Sequence, residues 1–194
     1  MKKTVCILFI ISSLSTIGYS QFNKGRFLVG GSFNANRSNV IGTGSYVSDG
    51  TTSFISFYPQ VGYFFANNFA AGAGLNLSSS VTNGVDLSNN TKYKSTSNTI
   101  SFEPFVRYYF IKKFYTQASG SFGSSHWKSN SFAGVYDNQS SSKKGWSLSA
   151  GYAYMINNHV ALEPQIGYGL TYYENSQNFG NLFFKIGILV YLGK

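Results

Sequence analysis

The sequence is poor in cysteine, proline and charge, and each shortage narrows the class of protein. Its 194 residues contain one cysteine, Cys6, so no disulfide can form within the chain. Two histidines and one cysteine also make a metal site unexpected, and no cofactor is predicted. Charged residues make up 11% of the chain, whereas a soluble domain has about 25%. Few charges are therefore left to build a water-facing surface, which argues against a soluble β-barrel or sandwich.

Aromatic residues and glycine are plentiful instead. The chain has 15 Tyr, 18 Phe and 21 Gly, a composition expected of a wall with one face in lipid. The formal net charge is +9, but the lysines and arginines are scattered and form no dense basic stripe. The sequence therefore does not predict nucleic-acid binding.

The N-terminus has the features of a secretory signal peptide. Lys2 and Lys3 precede an apolar stretch, residues 5–17, and Gly18 and Ser20 are small residues at the spacing of a cleavage site. The apolar stretch is shorter than the roughly 20 residues that a membrane-spanning helix needs. We therefore predict a signal peptide at residues 1–20 and one mature domain at 21–194, which would lack cysteine.

The mature chain alternates with a period of two, the pattern of β-strands. In residues 100–110 one face carries only apolar and aromatic side chains and proline, and the other carries Ser101, Glu103, Phe105, Arg107 and Tyr109. Three other segments, residues 55–65, 160–172 and 184–192, have the same apolar face. A transmembrane barrel, with lipid outside and a polar lumen, requires this alternation.

Turn signals order these strands. Three short turns, at residues 66–68, 111–113 and 156–158, alternate with longer polar stretches near residues 38–53, 81–97, 128–144 and 174–180. Eight strands are predicted between them, at residues 26–37, 54–65, 69–80, 98–110, 114–127, 145–155, 159–173 and 181–193. The fold class is therefore all-β, an eight-stranded antiparallel up-and-down transmembrane β-barrel. Short periplasmic turns and long extracellular loops are typical of that class, and both termini are expected to be periplasmic.

All three prolines fall in one context. Pro59, Pro104 and Pro164 each lie on the lipid face of a predicted strand, at about the same depth. Proline cannot donate to a β-ladder, so central strands normally exclude it. We therefore expect a local bulge or bend at each proline that sets the curvature of its strand.

The prolines also carry a family resemblance. Each begins a P-x-[VI]-x-Y pattern, and a GAGL stretch at residues 72–75 follows the first turn. Together these resemble the small outer-membrane β-barrel domain family common in Bacteroidota, which is similar in architecture to OmpX and to the OmpA transmembrane domain and is often labelled porin-like. The resemblance implies a cell outer membrane of a Gram-negative bacterium. The C-terminal KIGILVYL (185–192) loosely resembles the insertion signal read by the barrel-assembly machinery.

Charged residues on the predicted lumen face form the main candidate site. Glu103, Arg107, Glu163 and Lys185 are expected near one level, with Arg26 closing the set. Buried charges need partners, and an eight-stranded barrel is only wide enough for side chains to fill it. The layer is therefore expected to be a salt-bridged plug, with a gate for a narrow ion path as the alternative.

Two further features lie toward the outer end. Trp127 and Trp146 flank the third long loop and are predicted to form an outer aromatic belt. His126, with Ser124 and Ser125 nearby, would suit a lipid-modifying enzyme, but no orienting acid is identifiable, so no enzyme and no catalytic residue is predicted.

The predicted function is an integral outer-membrane barrel with a structural or surface-interaction role. A narrow porin-like channel is the alternative, and a lipid-modifying enzyme is a distant third. Its expected partners are outer-membrane lipid and lipopolysaccharide, and the barrel-assembly machinery during insertion. An extracellular ligand bound by loops 38–53, 81–97 and 128–144 is left open, and the protein is expected to be a monomer.

Overall fold

The computed structural model describes residues 22–40, 48–86, 91–110, 113–130, 136–174 and 178–193. These residues contain the strands β1 (Phe27–Val40), β2 (Ser48–Ala66), β3 (Phe69–Asp86), β4 (Thr91–Phe110), β5 (Phe114–Asn130), β6 (Tyr136–Tyr152), β7 (Tyr154–Met155), β8 (Val160–Tyr173) and β9 (Phe179–Leu192). The two-residue β7 continues β6 beyond Ala153, so the nine segments form eight strands of the wall. Across these ranges, no helix is long and apolar enough to span a membrane. The predicted signal peptide and the turn residues 111 and 112 lie outside the described residues.

The sheet closes on itself. Each strand pairs antiparallel with its neighbour in sequence, and β1 pairs with β9 from Phe27–Leu192 to Ser32–Gly187. The fold is thus a closed eight-stranded antiparallel β-barrel, which confirms the predicted fold class. The start of β1 and the end of β9 lie side by side at the end of the barrel that carries the short turns.

The predicted alternation sets the two faces of the wall. In β4, Arg107 and Tyr109 are each 2% exposed, whereas the neighbouring Val106 is 56% exposed. The same alternation along the other strands turns large apolar side chains outward, among them Phe27, Val29, Ile55, Phe57, Val61, Tyr63, Phe122, Leu148, Ile166, Tyr168, Phe184, Ile186 and Ile188. An outward apolar surface on a closed β-barrel is the arrangement that a lipid environment favours.

Asparagine stabilises two of the short turns. Asn67 and Asn68 connect β2 to β3, and Asn68 has a φ of 65°, a left-handed conformation that asparagine tolerates. In the turn before β8, the side-chain Oδ1 of Asn157 accepts hydrogen bonds from the backbone N–H groups of His159 and Val160, both at 2.8 Å. These local bonds satisfy backbone donors, so the chain can reverse within a few residues.

The strands run farther outward than predicted. The stretches predicted as long loops that instead lie in β1 to β6 are residues 38–40, 48–53, 81–86, 91–97, 128–130 and 136–144. The polar composition of these stretches suggested loops, yet backbone pairing continues through them, with Thr52 opposite Thr82 and Thr82 opposite Ser95. The hydroxyl oxygens of Thr52 and Thr82 are 3.0 Å apart, a cross-strand contact that supports the sheet.

The longer strands make the barrel taller than the sequence predicts. Strand β4 has 20 residues, which at about 3.3 Å per residue and a tilt near 40° rise about 50 Å. An apolar band is only about 25 Å tall in such barrels. The wall therefore continues well beyond the apolar band, as a polar extension built from paired strands.

The prolines interrupt pairing without shifting the register. The β2–β3 ladder omits Tyr58 and Pro59, the β4–β5 ladder omits Glu103 and Pro104, and both resume in register. Along β8, Pro164 and Glu163 lack ladder pairs with Tyr152 and Ala153, and β6 ends at this gap. The other edge of each proline still pairs normally. The register therefore contradicts a bulge at these prolines, while the predicted bend stays a prediction. Each proline leaves a short gap in one ladder, because it lacks the N–H that the pair would use.

Candidate functional site in the barrel lumen

A buried ion pair crosses the lumen near the short-turn end. The Arg107 Nη1 atom lies 2.7 Å from Oε2 of Glu163, and both side chains are at most 2% exposed. Arg107 also donates from Nε to Oε1 of Gln117 at 2.8 Å and from Nη1 to the Tyr109 hydroxyl at 2.9 Å. The Tyr191 hydroxyl donates to Oε1 of Glu163. Both charged groups therefore have several partners, as a buried ion pair requires.

Aromatic rings surround this pair. The guanidinium of Arg107 lies 4.2 Å from the ring centroid of Tyr115, and the hydroxyl oxygens of Tyr109 and Tyr191 are 2.9 Å apart. We call Arg107, Glu163, Tyr109, Tyr115 and Tyr191 the lumen layer. Its members come from strands β4, β5, β8 and β9, so their contacts across the interior hold separate parts of the wall together.

An apolar core fills the lumen between this layer and the short turns. Its residues include Phe22, Phe64 and Met155, and the same buried cluster continues into Tyr109, Tyr115 and Tyr191 of the lumen layer. Phe22 comes from the segment before β1, and its ring stacks on Tyr109 at 4.2 Å between centroids. The carbonyl oxygen of Phe22 also accepts a hydrogen bond from the N–H of Asn68 at 2.7 Å. The N-terminal segment thus folds inward and covers this end of the barrel.

Glycines make room for the inward rings. A Cβ added to Gly151 would lie 2.4 Å from the ring of Tyr115 and 2.8 Å from the carbonyl oxygen of Pro164. A Cβ added to Gly72 would likewise clash with the ring of Phe105, and one added to Gly74 would clash with the ring of Tyr58. The lumen face therefore pairs large rings with glycine, which explains part of the high content of both.

Replacing Gly151 with alanine is expected to destabilise the barrel by about 1–3 kcal/mol, the usual cost of overpacking. The new methyl group would push the ring of Tyr115 away from Arg107. Urea unfolding in lipid vesicles measures the change. Gly169→Ala is the matched control, because the nearest atom to its added Cβ is 3.4 Å away. Equal stability of the two variants would contradict this packing.

A second, open site lies farther outward. A cavity of about 300 Å³ is lined by inward-facing side chains that include Tyr58, Glu103, Lys143 and Lys185. The Nζ atom of Lys185 lies 4.4 Å from the ring centroid of Tyr58. Glu103 accepts a hydrogen bond from Nδ2 of Asn76 at 3.2 Å. Among the described residues, neither lysine has an ion pair in this cavity.

The five charged residues predicted in one layer lie at three places. Only Arg107 and Glu163 are in contact, while Glu103 and Lys185 line the outer cavity. Glu103 precedes Arg107 by four residues in β4, a separation of about 13 Å along the strand. Arg26 lies before β1, beside Gly193, and its Nε and Nη1 atoms are buried without a hydrogen-bond partner in the described residues. The prediction that these charges form one layer is therefore wrong, because residues at the same distance from a proline do not lie at the same depth in the barrel.

The two tryptophans do not share one belt. Trp127 follows the alternation of the lumen-facing Tyr115 and Gln117, and its indole N–H donates to Ser95 at the barrel mouth. Trp146 points outward, is 48% exposed and pairs with Gly120, seven residues before Trp127 along β5. The predicted outer aromatic belt is therefore wrong, because the extra length of β5 moves Trp127 out of the apolar band.

His126 lies on the outer face of the polar extension. Ser124 shares that face, whereas the hydroxyl of Ser125 bonds to Thr99 at 2.7 Å. Within the described ranges, His126 has no hydrogen bond to an acid, and no cluster of His, Cys, Asp or Glu could hold a metal ion.

The fold and lumen together define a class: a closed eight-stranded barrel with an apolar outer wall and an interior filled near one end. Residues 52–181 match the family described as "Protein of unknown function (DUF3575)", and the chain belongs to that family. The comparison with curated proteins found no match.

Several solved structures are similar in outline. Neisserial surface protein A is 16% identical, with a TM-score of 0.43, and the match covers 86% of this chain and 97% of that one. The outer membrane protein OprG from Pseudomonas aeruginosa is 13% identical, with a TM-score of 0.45 and coverages of 89% and 98%. The N-terminal β-barrel domain of OprF from the same species is 10% identical, with a TM-score of 0.45 and coverages of 87% and 98%. The Bacteroidota origin and the likeness to OmpX and OmpA stay predictions.

Proposed function

We propose that the protein is an integral outer-membrane barrel that acts at the cell surface and does not conduct solutes. The observation that carries this proposal is the lumen layer, in which Arg107 and Glu163 meet at 2.7 Å with almost no exposure. The apolar core around Phe22 and Phe64 lies between that layer and the short turns. A solute would have to displace both to cross.

The outer wall supports the membrane assignment. Apolar side chains such as Val61, Val106 and Ile188 are more than half exposed, which in water would cost free energy at every position. Outward lysines follow on the polar extension, including Lys92, Lys94 and Lys128. Such cations suit the phosphate groups of lipopolysaccharide at the outer surface. Both chain ends and the short turns would then be periplasmic.

A narrow channel is the second candidate. The outer cavity favours it, because Glu103, Lys143 and Lys185 bring charge into the upper lumen as an ion path would. It ranks second because the cavity lining does not include the lumen layer. Insertion by the barrel-assembly machinery and a monomeric state complete the proposal, while a lipid-modifying activity has no support from the surroundings of His126.

Single-cysteine labelling tests the location and orientation. Lys128→Cys, on the polar extension, should react with a membrane-impermeant maleimide on intact cells. Asn158→Cys, in a short turn, should react only after the outer membrane is permeabilised. The mature chain is expected to lack cysteine, so the background is low. Reaction of Asn158→Cys alone on intact cells would reverse the orientation, and equal reaction of both only after cell lysis would exclude a surface location.

A further inference from the structure

The barrel wall has an unpaired seam toward its outer end. Strand β1 pairs with β2 along its whole length, up to Val40, but it pairs with β9 only as far as Ser32. Residues 33–40 of β1 and 179–186 of β9 therefore face each other without ladder pairs. We call this stretch between β1 and β9 the seam.

Exposure along both edges agrees with an open seam. Asn34 and Asn36, on the lumen face of β1, are exposed, and so is Asn181 on β9. The lumen-facing Ser101 of β4, where ladders continue on both sides, is only 1% exposed. The wall therefore gives access to the interior from the side, over the part of the chain that the structure describes.

The seam begins where the outward-facing residues of β1 and β9 are still apolar. Phe33 on β1 is 60% exposed, and on β9 Leu182 and Phe184 are 73% and 60% exposed. These side chains continue the lipid-facing surface of Phe27 and Ile188. Unpaired strand edges next to hydrocarbon are costly, because lipid offers no hydrogen bonds. A molecule that covers these strand edges would therefore need both a polar and an apolar part.

The outer cavity opens onto this seam. Its lining includes Ser32 and Asn34 from the β1 edge and Asn181, Phe183 and Lys185 from the β9 edge. The cavity thus lies directly behind the gap in the wall. A molecule entering from the outer leaflet would reach the cavity without passing through the mouth or the lumen layer.

The chemistry of the cavity selects the kind of molecule. Lys143 and Lys185 supply two cations against the one carboxylate of Glu103, so the local charge is positive. The Tyr58 side chain is 7% exposed, and its hydroxyl has no hydrogen-bond partner among the described residues. An anionic head group would pair with the lysines and accept from this hydroxyl.

We propose that the seam and the cavity form a lateral binding site for an anionic, single-chain amphiphile such as a fatty acid. The carboxylate lies in the cavity beside Lys185 and Lys143, and the acyl chain lies along Phe33, Leu182 and Phe184 toward the membrane. This site rests on the membrane placement proposed above. It does not require conduction, so it can fail while the sealed lumen stands.

Binding is tested with the full mature barrel in phosphatidylcholine nanodiscs. The probe is palmitate with a diazirine near its carboxyl end, and the matching hexadecanol probe has the same chain without the charge. Palmitate should photo-crosslink to peptides of β9 that contain Phe183 and Lys185, and hexadecanol should do so at least tenfold less. Lys185→Gln should lower the palmitate yield about tenfold, whereas the outward Lys94→Gln should leave it unchanged.

A pair of cysteine variants tests the seam itself. In the closed part of the β1–β9 ladder, Val29 faces Val190, so Val29→Cys/Val190→Cys should form a disulfide. Ala35→Cys/Phe184→Cys lies six residues farther along the same register, in the same type of ladder position, and should stay reduced. Rapid disulfide formation within one chain at the second pair would mean that the seam is closed, and the proposal would be overturned.

Three other results would also overturn it. Equal crosslinking of palmitate in the wild type and in Lys185→Gln would mean that the cavity charge does not recognise the head group. A disulfide between two chains in Ala35→Cys/Phe184→Cys would mean that a second copy covers the edges by strand pairing. A low palmitate yield with β9 peptides unlabelled would exclude the site for this class of ligand.

Discussion

Glu163→Gln is expected to lower the free energy of unfolding by about 3–5 kcal/mol, the cost of leaving one member of a buried ion pair without its partner. Arg107 would keep its bonds to Gln117 and Tyr109 but would remain charged in a site that is almost fully enclosed. Urea titration of the refolded barrel in lipid vesicles, followed by tryptophan fluorescence and by the heat-modifiable gel shift, measures this loss.

A double variant separates charge from packing. Arg107→Met/Glu163→Gln removes both charges and keeps similar side-chain volumes, so it should recover most of the lost stability. Glu174→Gln, at an exposed position directly after β8, is the control and should behave like the wild type. A double variant less stable than Glu163→Gln would show that Arg107 acts mainly through the rings and amide that it contacts.

Phe22→Ala is expected to cost about 3 kcal/mol, at the low end for a buried phenylalanine because a terminal segment can relax. Its ring contacts Tyr109, Tyr191 and Phe64, so its loss should also loosen the short-turn end of the barrel. The same urea titration measures stability, and proteolysis from the short-turn side measures loosening.

Phe27→Ala provides the comparison for this variant. Phe27 follows Phe22 by five residues and points outward with 48% exposure, so its truncation should cost much less. If both variants lost the same stability, Phe22 would not be part of the core. If Phe22→Ala were neutral, the N-terminal segment would not cover the barrel end at all.

The sequence predicted the fold because alternation and turns are local signals. Val106 and Arg107 fall on opposite faces by position alone, and Asn67 and Asn157 occur where two-faced strands must reverse. The partners of Arg107 could also have been found, since Tyr109 shares its face on β4. The ion pair between Arg107 and Glu163 was harder, because strand tilt decides which residues of distant strands meet at one depth.

Other features depend on information that is not local. Serine and threonine in residues 48–53 suggested a loop, but backbone pairing does not depend on side-chain polarity, so the strands continue. The position of Trp127 inside the mouth follows from that extra length. Phe22 precedes the first strand and carries no periodic signal, and the seam between β1 and β9 depends on where a ladder between the two ends of the chain stops.

A sealed lumen should carry no ions, and single-channel recording in planar bilayers measures whether it does. The refolded mature barrel should give no steady current. Glu103→Ala should be equally silent, because Glu103 lies in the outer cavity and not in the lumen layer. The heat-modifiable gel shift verifies that each sample has folded. Steady openings of the wild type that widen in Glu103→Ala would mean that the lumen is open and that the charged upper lumen is a gate.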